Sequence, residues 1–331
     1  MVQFFTASDL TSTGFKYVLS CLCVVFQDVS RTPISEADSH ILTVISHLGC
    51  GISSLFLAIT LLTYLGFDLS LCLSLVHIRK VRRDYPSKIL INLSVALLGL
   101  CMVFLLDPWF SSFSIYGLCI ATGATLHYFL LASFTWMGLE AVHMYFALVK
   151  VFNTYVPSYI LKFCAVGWGI PLVIVGLVLA IDKDAYGSGV CWLQKDIFFY
   201  VAVVAFIFLI LFCNISVFIL VLIQIRQMKT NNPAVNRHSA LHDLRAAASL
   251  NVLLGLTWSI SFFSFGPGRV VLMYLFSILN TLQGFFIFLF HCLMKENVRK
   301  QWKIHLCCGR FRLKDYSGTC KSLLWTASIA F

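Results

Sequence analysis

Residues 118–149 read LCIATGATLHYFLLASFTWMGLEAVHMYFALV, an unbroken apolar run whose only formal charge is Glu140. A run of this length exceeds the ~20 residues a helix needs to cross a bilayer's hydrocarbon core. Its apolar residues are continuous instead of alternating, so it reads as a helix and not as a strand of a membrane barrel. Working outward, similar runs occupy 41–67, 87–106, 160–181, 197–225, 246–265 and 270–293, each bounded by charged or turn-forming residues. These make seven spans, with 1–40 as a short outer segment and 294–331 as a tail. The third is longer than a bilayer requires and is expected to project or tilt.

Composition agrees. The chain is 60% hydrophobic and 11% charged, where a soluble domain carries roughly 25% charged residues, and its mean hydropathy is +0.89. The expected fold class is an all-α membrane protein, a seven-transmembrane helix bundle. Orientation follows from basic residues in the short loops. With the N-terminus outside, Arg79, Lys80, Arg82, Arg83, Lys88, Lys150, Lys162, Arg226, Lys229, Arg237 and Arg245 fall inside, together with a basic tail. Outside stand Lys16, Arg31, Lys183, Lys195 and Arg269. The net charge of +10 therefore reflects topology and anionic lipid, and calls for no nucleic acid.

The outer segment is too short for a domain with its own core. Within it YVLSCLCVVF (17–26) reads either as a signal-peptide apolar region, with Lys16 ahead of it, or as a greasy stalk. Beyond the last span, MKENVRKQWKIHLCCG (294–309) places Val298, Trp302 and Leu306 on one helical face and Lys295, Arg299, Lys300 and Lys303 on others. That is the pattern of a basic amphipathic helix on the inner leaflet. Cys307 and Cys308 stand at its end, where they serve either as thioester lipidation sites or as plain thiols.

Five of the thirteen cysteines, Cys50, Cys101, Cys164, Cys213 and Cys292, fall inside spans and read as small apolar residues. Cys119, at the outer end of span three, and Cys191, in the loop between spans four and five, both face the oxidising side. They read as a disulfide pinning that loop over the bundle mouth, with two free thiols as the alternative.

A carboxylate within hydrocarbon is costly, and by default it faces the bundle interior and marks function. Glu140 shares a helical face with Trp136 and His143 and lies in the inner half of its span. With Asn92 of span two it reads as a polar lock on the cytoplasmic ends of the helices, or as a structural acid that sets register. Span six carries Trp258 near Gly255; span seven carries Asn280, Gln283 and Gly284 on one face, a place where a helix bends or admits a close neighbour. Packing is the plainer reading of each. Span seven holds no lysine, which excludes a retinal Schiff base, and HExxH, paired CxxC and metal-spaced carboxylates are missing. No cofactor is expected, and the chain is not expected to be an enzyme. A transporter would show repeat symmetry and interrupted helices near the midplane, and neither is read here.

At this point a resemblance enters. VRRDYPSKILINL (81–93), HYFLLASFTWMGLEAVHMY (127–145), ALVKVFNTYVPSYILKFCAVGWGIP (147–171), GLTWS (255–259), MYLFSILNTLQGFFIF (273–288) and KENVRKQWKIHLCCGRFRL (295–313) resemble the adhesion G protein-coupled receptors of subfamily G. The stretches look nearest that group's second, fourth and sixth members, with SRTP (30–33), LHDL (241–244) and QWKIHLCCG (301–309) favouring the fourth. The resemblance implies a receptor at the plasma membrane with an ectodomain that self-cleaves before a stalk. The stalk folds back as a tethered agonist, and the inner face opens to a heterotrimeric G protein that modulates adenylate cyclase. Carried over by motif, Phe134, Trp136, Trp192, Trp258 and Gln283 would line or respond to the agonist pocket, and Glu140 would belong to the inner lock.

This sequence departs from the pattern in places. Of the family's stalk only QDVSRTP (27–33) matches, and YVLSCLCVVF ahead of it does not, so a truncated, non-signalling or decoy bundle is the competing expectation. DLSLCLSLVHI (68–78) intervenes before the first inner loop, either lengthening helix one or forming an inner-leaflet segment. In span six, Asn251 replaces a usual threonine and Phe265 a usual tryptophan.

Overall fold

The computed structural model describes residues 36–74, 85–113, 115–149, 159–186, 191–193, 196–231, 269–295, 298, 299 and 302. Helices Glu36–Ser74, Tyr85–Ser111, Tyr116–Val149 and Tyr159–Ile181 carry spans one to four. Span five runs through Asp196–Phe199, a π turn at Tyr200–Val204 and Ala205–Asn231. Span seven divides into Arg269–Thr281 and Gln283–Phe288, with a π turn at Leu289–Leu293. Span six, with Trp258, Asn251 and Phe265, lies outside the described residues, as do residues 1–35 and the Cys307–Cys308 pair. Among the described residues there is no strand.

Among the described residues, five helices are long and apolar enough to cross a membrane, and the two halves of span seven together make a sixth, bent by 48°. The sequence reading found no interrupted helix, so this break is a correction to it, although it falls among the residues read as a site of bending. Span one is longer than expected. Its helix continues through Ser74, and at 1.5 Å per residue it measures about 58 Å, nearly twice the hydrocarbon thickness. Of the two readings of 68–78, the first therefore holds as far as Ser74; the rest lies outside the described residues.

Span three is the hub. It packs against spans two, four and five, while span one packs against span two and both halves of span seven. Its side chains from Leu130 to Met137 are almost entirely buried, Phe134 at 1% exposure and Trp136 at 0%. The lipid-facing sides show apolar residues such as Leu62, Leu172, Val173 and Phe212. In hydrocarbon such exposure costs nothing; what fixes one helix against another is close packing and hydrogen bonding.

Candidate functional site

The site begins with a break in a helix. Thr281 Oγ1 donates back to the Ser277 carbonyl at 2.7 Å, a bond that competes with the helix ladder. Ser53 of span one then enters the ladder itself. Its Oγ donates to the Thr281 carbonyl and accepts the Gly284 N–H at 3.0 Å. A side chain inserted into the ladder is a recognised cause of a sharp kink, and the helix breaks at Leu282. Close approach is what makes this insertion work. A Cβ on Gly284 would meet the Ser53 carbonyl oxygen at 2.7 Å and Leu57 Cγ at 2.8 Å, and one on Gly49 would run into the Thr281 side chain.

The bend turns Asn280, Thr281, Gln283 and Gly284 toward a cavity of about 90 Å³. That is room for a few waters or a side chain. Leu97, Leu100 and Phe104 of span two and Leu126, Leu130 and Phe134 of span three form much of its wall. Gln283 is buried, and its Nε2 has no hydrogen-bond partner among the described residues.

A lid closes the outer side. Cys119 and Cys191 form a disulfide, and Gly123 lets the loop lie flat on span three, where a Cβ would come within 2.9 Å of the Cys191 carbonyl oxygen. Trp192 is thereby held at 3% exposure as part of the cavity wall, with its Nε1 unpartnered among the described residues. Beneath the lid, His127 Nδ1 and the Tyr186 hydroxyl are hydrogen bonded at 2.8 Å, and the His127 ring lies edge-on to Trp192 at 6.2 Å. Burial pushes the Tyr186 phenol above its ordinary value, so its proton stays in place at this contact.

The structure thus gathers Phe134, Trp192 and Gln283 around one cavity. Trp136, grouped with them by the resemblance, does not line it. Its ring sits edge-on to Trp168 of span four at 5.9 Å, over Gly167, where a Cβ would reach within 2.5 Å of the indole.

Toward the inner face Glu140 is 7% exposed, and its Oε2 has no hydrogen-bond partner among the described residues. Asn214 of span five is buried close to Gly138, with its Oδ1 unpartnered among the described residues. His143 is half-buried. Asn92 departs from expectation: it accepts the Trp168 indole N–H at 3.0 Å and donates to the Lys88 carbonyl at 2.8 Å, so its amide ties span two to span four instead of to Glu140. Spans one and seven meet again here, where Tyr64 donates to the His291 carbonyl at 3.0 Å beside the π turn. Just beyond, Val298 is buried and Trp302 packs on Phe288 at 5.9 Å, while Arg299 is exposed.

Sequence reasoning missed Ser53, Thr281, Trp168 and Tyr64. The available signal was Gly49 and Ser53 at i and i+4, a small-residue stripe on span one of the kind that admits another helix. Among the described residues no three His, Cys, Asp or Glu side chains come together as a metal would require.

Comparison with known proteins gives a consistent picture. The family description "7 transmembrane receptor (Secretin family)" matches residues 39–287. The chain is 52% identical over 298 residues to adhesion G-protein coupled receptor G4 of Homo sapiens, a match covering 88% of this chain and 9% of that one. It is 49% identical over 330 residues to adhesion G-protein coupled receptor G2 of Homo sapiens, covering 96% and 30%. Against adhesion G-protein coupled receptor G6 of Danio rerio it is 50% identical over 325 residues, covering 91% and 26%. The chain therefore spans less than a third of the length of each of these relatives.

Proposed function

We propose, for a chain that belongs to the secretin family of seven-transmembrane receptors and to its adhesion branch, that it couples a peptide agonist in the outer cavity to a heterotrimeric G protein on the inner face, and thereby to adenylate cyclase. It is a multi-pass receptor of the plasma membrane. The observation that carries the reading is the cavity, where Gln283 and Trp192, each with a buried N–H group lacking a partner among the described residues, stand among apolar walls. Apolar side chains of a stalk peptide, tethered or supplied from outside, fill such a space. The two unmatched donors take carbonyls of its backbone, and an unmatched buried donor costs about 1–3 kcal/mol until it is paired.

The hinge converts occupancy into motion. Gln283 is the first residue after the break, so whatever engages it pulls on the joint that Ser53 holds. At the inner end, Glu140 is the group whose environment must change when the helices part. In the resting state it belongs to a closed interior that helps hold the cytoplasmic ends together, and opening admits water and partner to it. Moving a 1:99 equilibrium to 99:1 requires about 5.5 kcal/mol of preference for the open state, within reach of a buried peptide. The basic segment after span seven, docked through Val298 and Trp302, rests on inner-leaflet lipid, with Cys307 and Cys308 as its anchoring points.

The test is direct. A synthetic subfamily stalk peptide is given to cells displaying this chain, and cAMP and G protein dissociation are recorded. A response is expected, and it should fall when Gln283 is replaced by Ala. Silence with normal surface display would instead support a decoy bundle. Glu140→Gln should raise output without peptide, and unchanged basal and stimulated signals would remove the inner lock from the scheme.

A further inference from the structure

Two outer loops differ in composition. Between spans four and five, DKDAYGSGVCWLQKD (182–196) holds five charged side chains, as a stretch facing water does. Between spans two and three, WFSSFSIYGL (109–118) holds none. Its apolar residues nevertheless stand at the surface, Trp109 at 59% exposure and Phe113 at 50%, with Ile115 and Tyr116 exposed beside them. Trp109 lies 5.3 Å from Phe110 and meets Phe113 edge-on at 5.1 Å, so the rings form one apolar ridge. The ridge continues the outer side of span two, where Val95, Met102, Leu106 and Trp109 are exposed along a single helical stripe. Backbone groups along the loop are paired locally, as a chain entering an apolar layer requires. Phe113 N–H donates to the Phe110 carbonyl at 3.3 Å and Leu118 N–H to the Ile115 carbonyl at 3.0 Å. Ser112 Oγ donates to the Trp109 carbonyl at 2.7 Å.

We propose that residues 109–116 are a docking surface for lipid, an anchor seated among the headgroups and upper acyl chains of the outer leaflet instead of in water. Two observations select this occupant. The ridge is continuous with the lipid-facing side of span two, so the apolar medium that covers Val95, Met102 and Leu106 extends to Trp109. Its side chains are also the set that a membrane–water interface favours, a tryptophan and a tyrosine with hydroxyls and no ionised group. In water the same ridge would be exposed apolar surface with nothing to cover it.

The anchor connects to the cavity lid. Tyr116, at its end, donates its hydroxyl to Asp184. Asp184 belongs to the turn Lys183–Tyr186, and the Tyr186 hydroxyl is bonded to His127 beneath the lid. His127 in turn lies edge-on to Trp192 of the cavity wall. One turn along span three from Tyr116 stands Cys119, which holds the lid through its disulfide to Cys191. Lipid at the ridge therefore fixes the start of span three, and the start of span three steadies the lid. The inference goes beyond the receptor reading and does not depend on it.

The full chain is reconstituted in phosphatidylcholine vesicles that hold a trace of phospholipid with a diazirine near the headgroup end of its acyl chain. After irradiation the digest is read by mass spectrometry. Trp109 and Phe113 should together carry about tenfold more lipid adduct than residues 182–184, the contrast expected between a segment among acyl chains and one in water. Equal labelling of the two loops would overturn the anchor. An unlabelled 109–116 segment that cross-links instead to a second copy, or to another part of the chain, would overturn it too. The link to the lid is read as the rate at which a water-soluble phosphine reduces Cys119–Cys191 in the same vesicles. Tyr116→Phe keeps its ring in lipid and gives up only the bond to Asp184, and it should speed reduction about threefold. Trp109→Ser combined with Phe113→Ser should speed it at least as much. An unchanged rate in either variant would overturn the steadying of the lid. Neither readout needs signalling, so a failure of the receptor reading leaves both intact.

Discussion

Two joints between helices behave differently. Spans one and seven meet through hydrogen bonds that involve the backbone: Ser53 with the Thr281 carbonyl and the Gly284 N–H, and Tyr64 with the His291 carbonyl. Spans three and four meet through rings. Trp136 sits edge-on to Trp168, Tyr128 stacks on Trp168 at 6.2 Å, and Asn92 takes the indole N–H. In the first joint a backbone ladder has been opened and its groups re-paired with a hydroxyl, an arrangement with alternative partners close at hand. In the second, a large planar contact area is lost at once if the rings part. The first is built as a hinge and the second as a strut.

Breaking the strut should have the largest effect. Trp136→Ala leaves a cavity in a fully buried site and should cost about 3–5 kcal/mol, seen as lost surface display and a lower unfolding temperature in detergent. Gly284→Val comes next, because its side chain meets the Ser53 carbonyl oxygen and Leu57. Overpacking of this kind costs about 1–3 kcal/mol, and peptide response should fall further than surface amount. Ser53→Ala leaves the Gly284 N–H without its acceptor, at about 1–3 kcal/mol, and should alter efficacy while display stays near normal. Trp168→Phe keeps most of the ring contact and gives up only the bond to Asn92, about 1 kcal/mol, and should leave efficacy unchanged. If Ser53→Ala and Trp168→Phe acted alike, the distinction between the joints would fail.

The same contrast explains what could be read in advance. Span existence follows from the length of apolar runs, and five runs reappear as single helices, with the seventh as a bent pair. A bend in span seven was one of two uses read for an amide beside a glycine, the other being a close neighbour, and the break falls at Leu282 between Asn280 and Gln283. Contacts between helices were not. A helix apolar on every side does not announce which side meets protein, so Trp136 could be grouped with the pocket although it faces Trp168. Asn92, likewise, could be assigned to Glu140 although its amide serves the strut. Ser53 gave little warning, since a serine in a membrane helix usually satisfies itself on its own backbone, as Ser46 and Ser133 do here.

Most direct is a comparison of peptide-stimulated G protein dissociation for Ser53→Ala and Trp168→Phe at matched surface amounts. Transmission through the bend between spans one and seven predicts a changed maximal response in the first and an unchanged one in the second. An unchanged Ser53→Ala response, or an equal change in both, would contradict it.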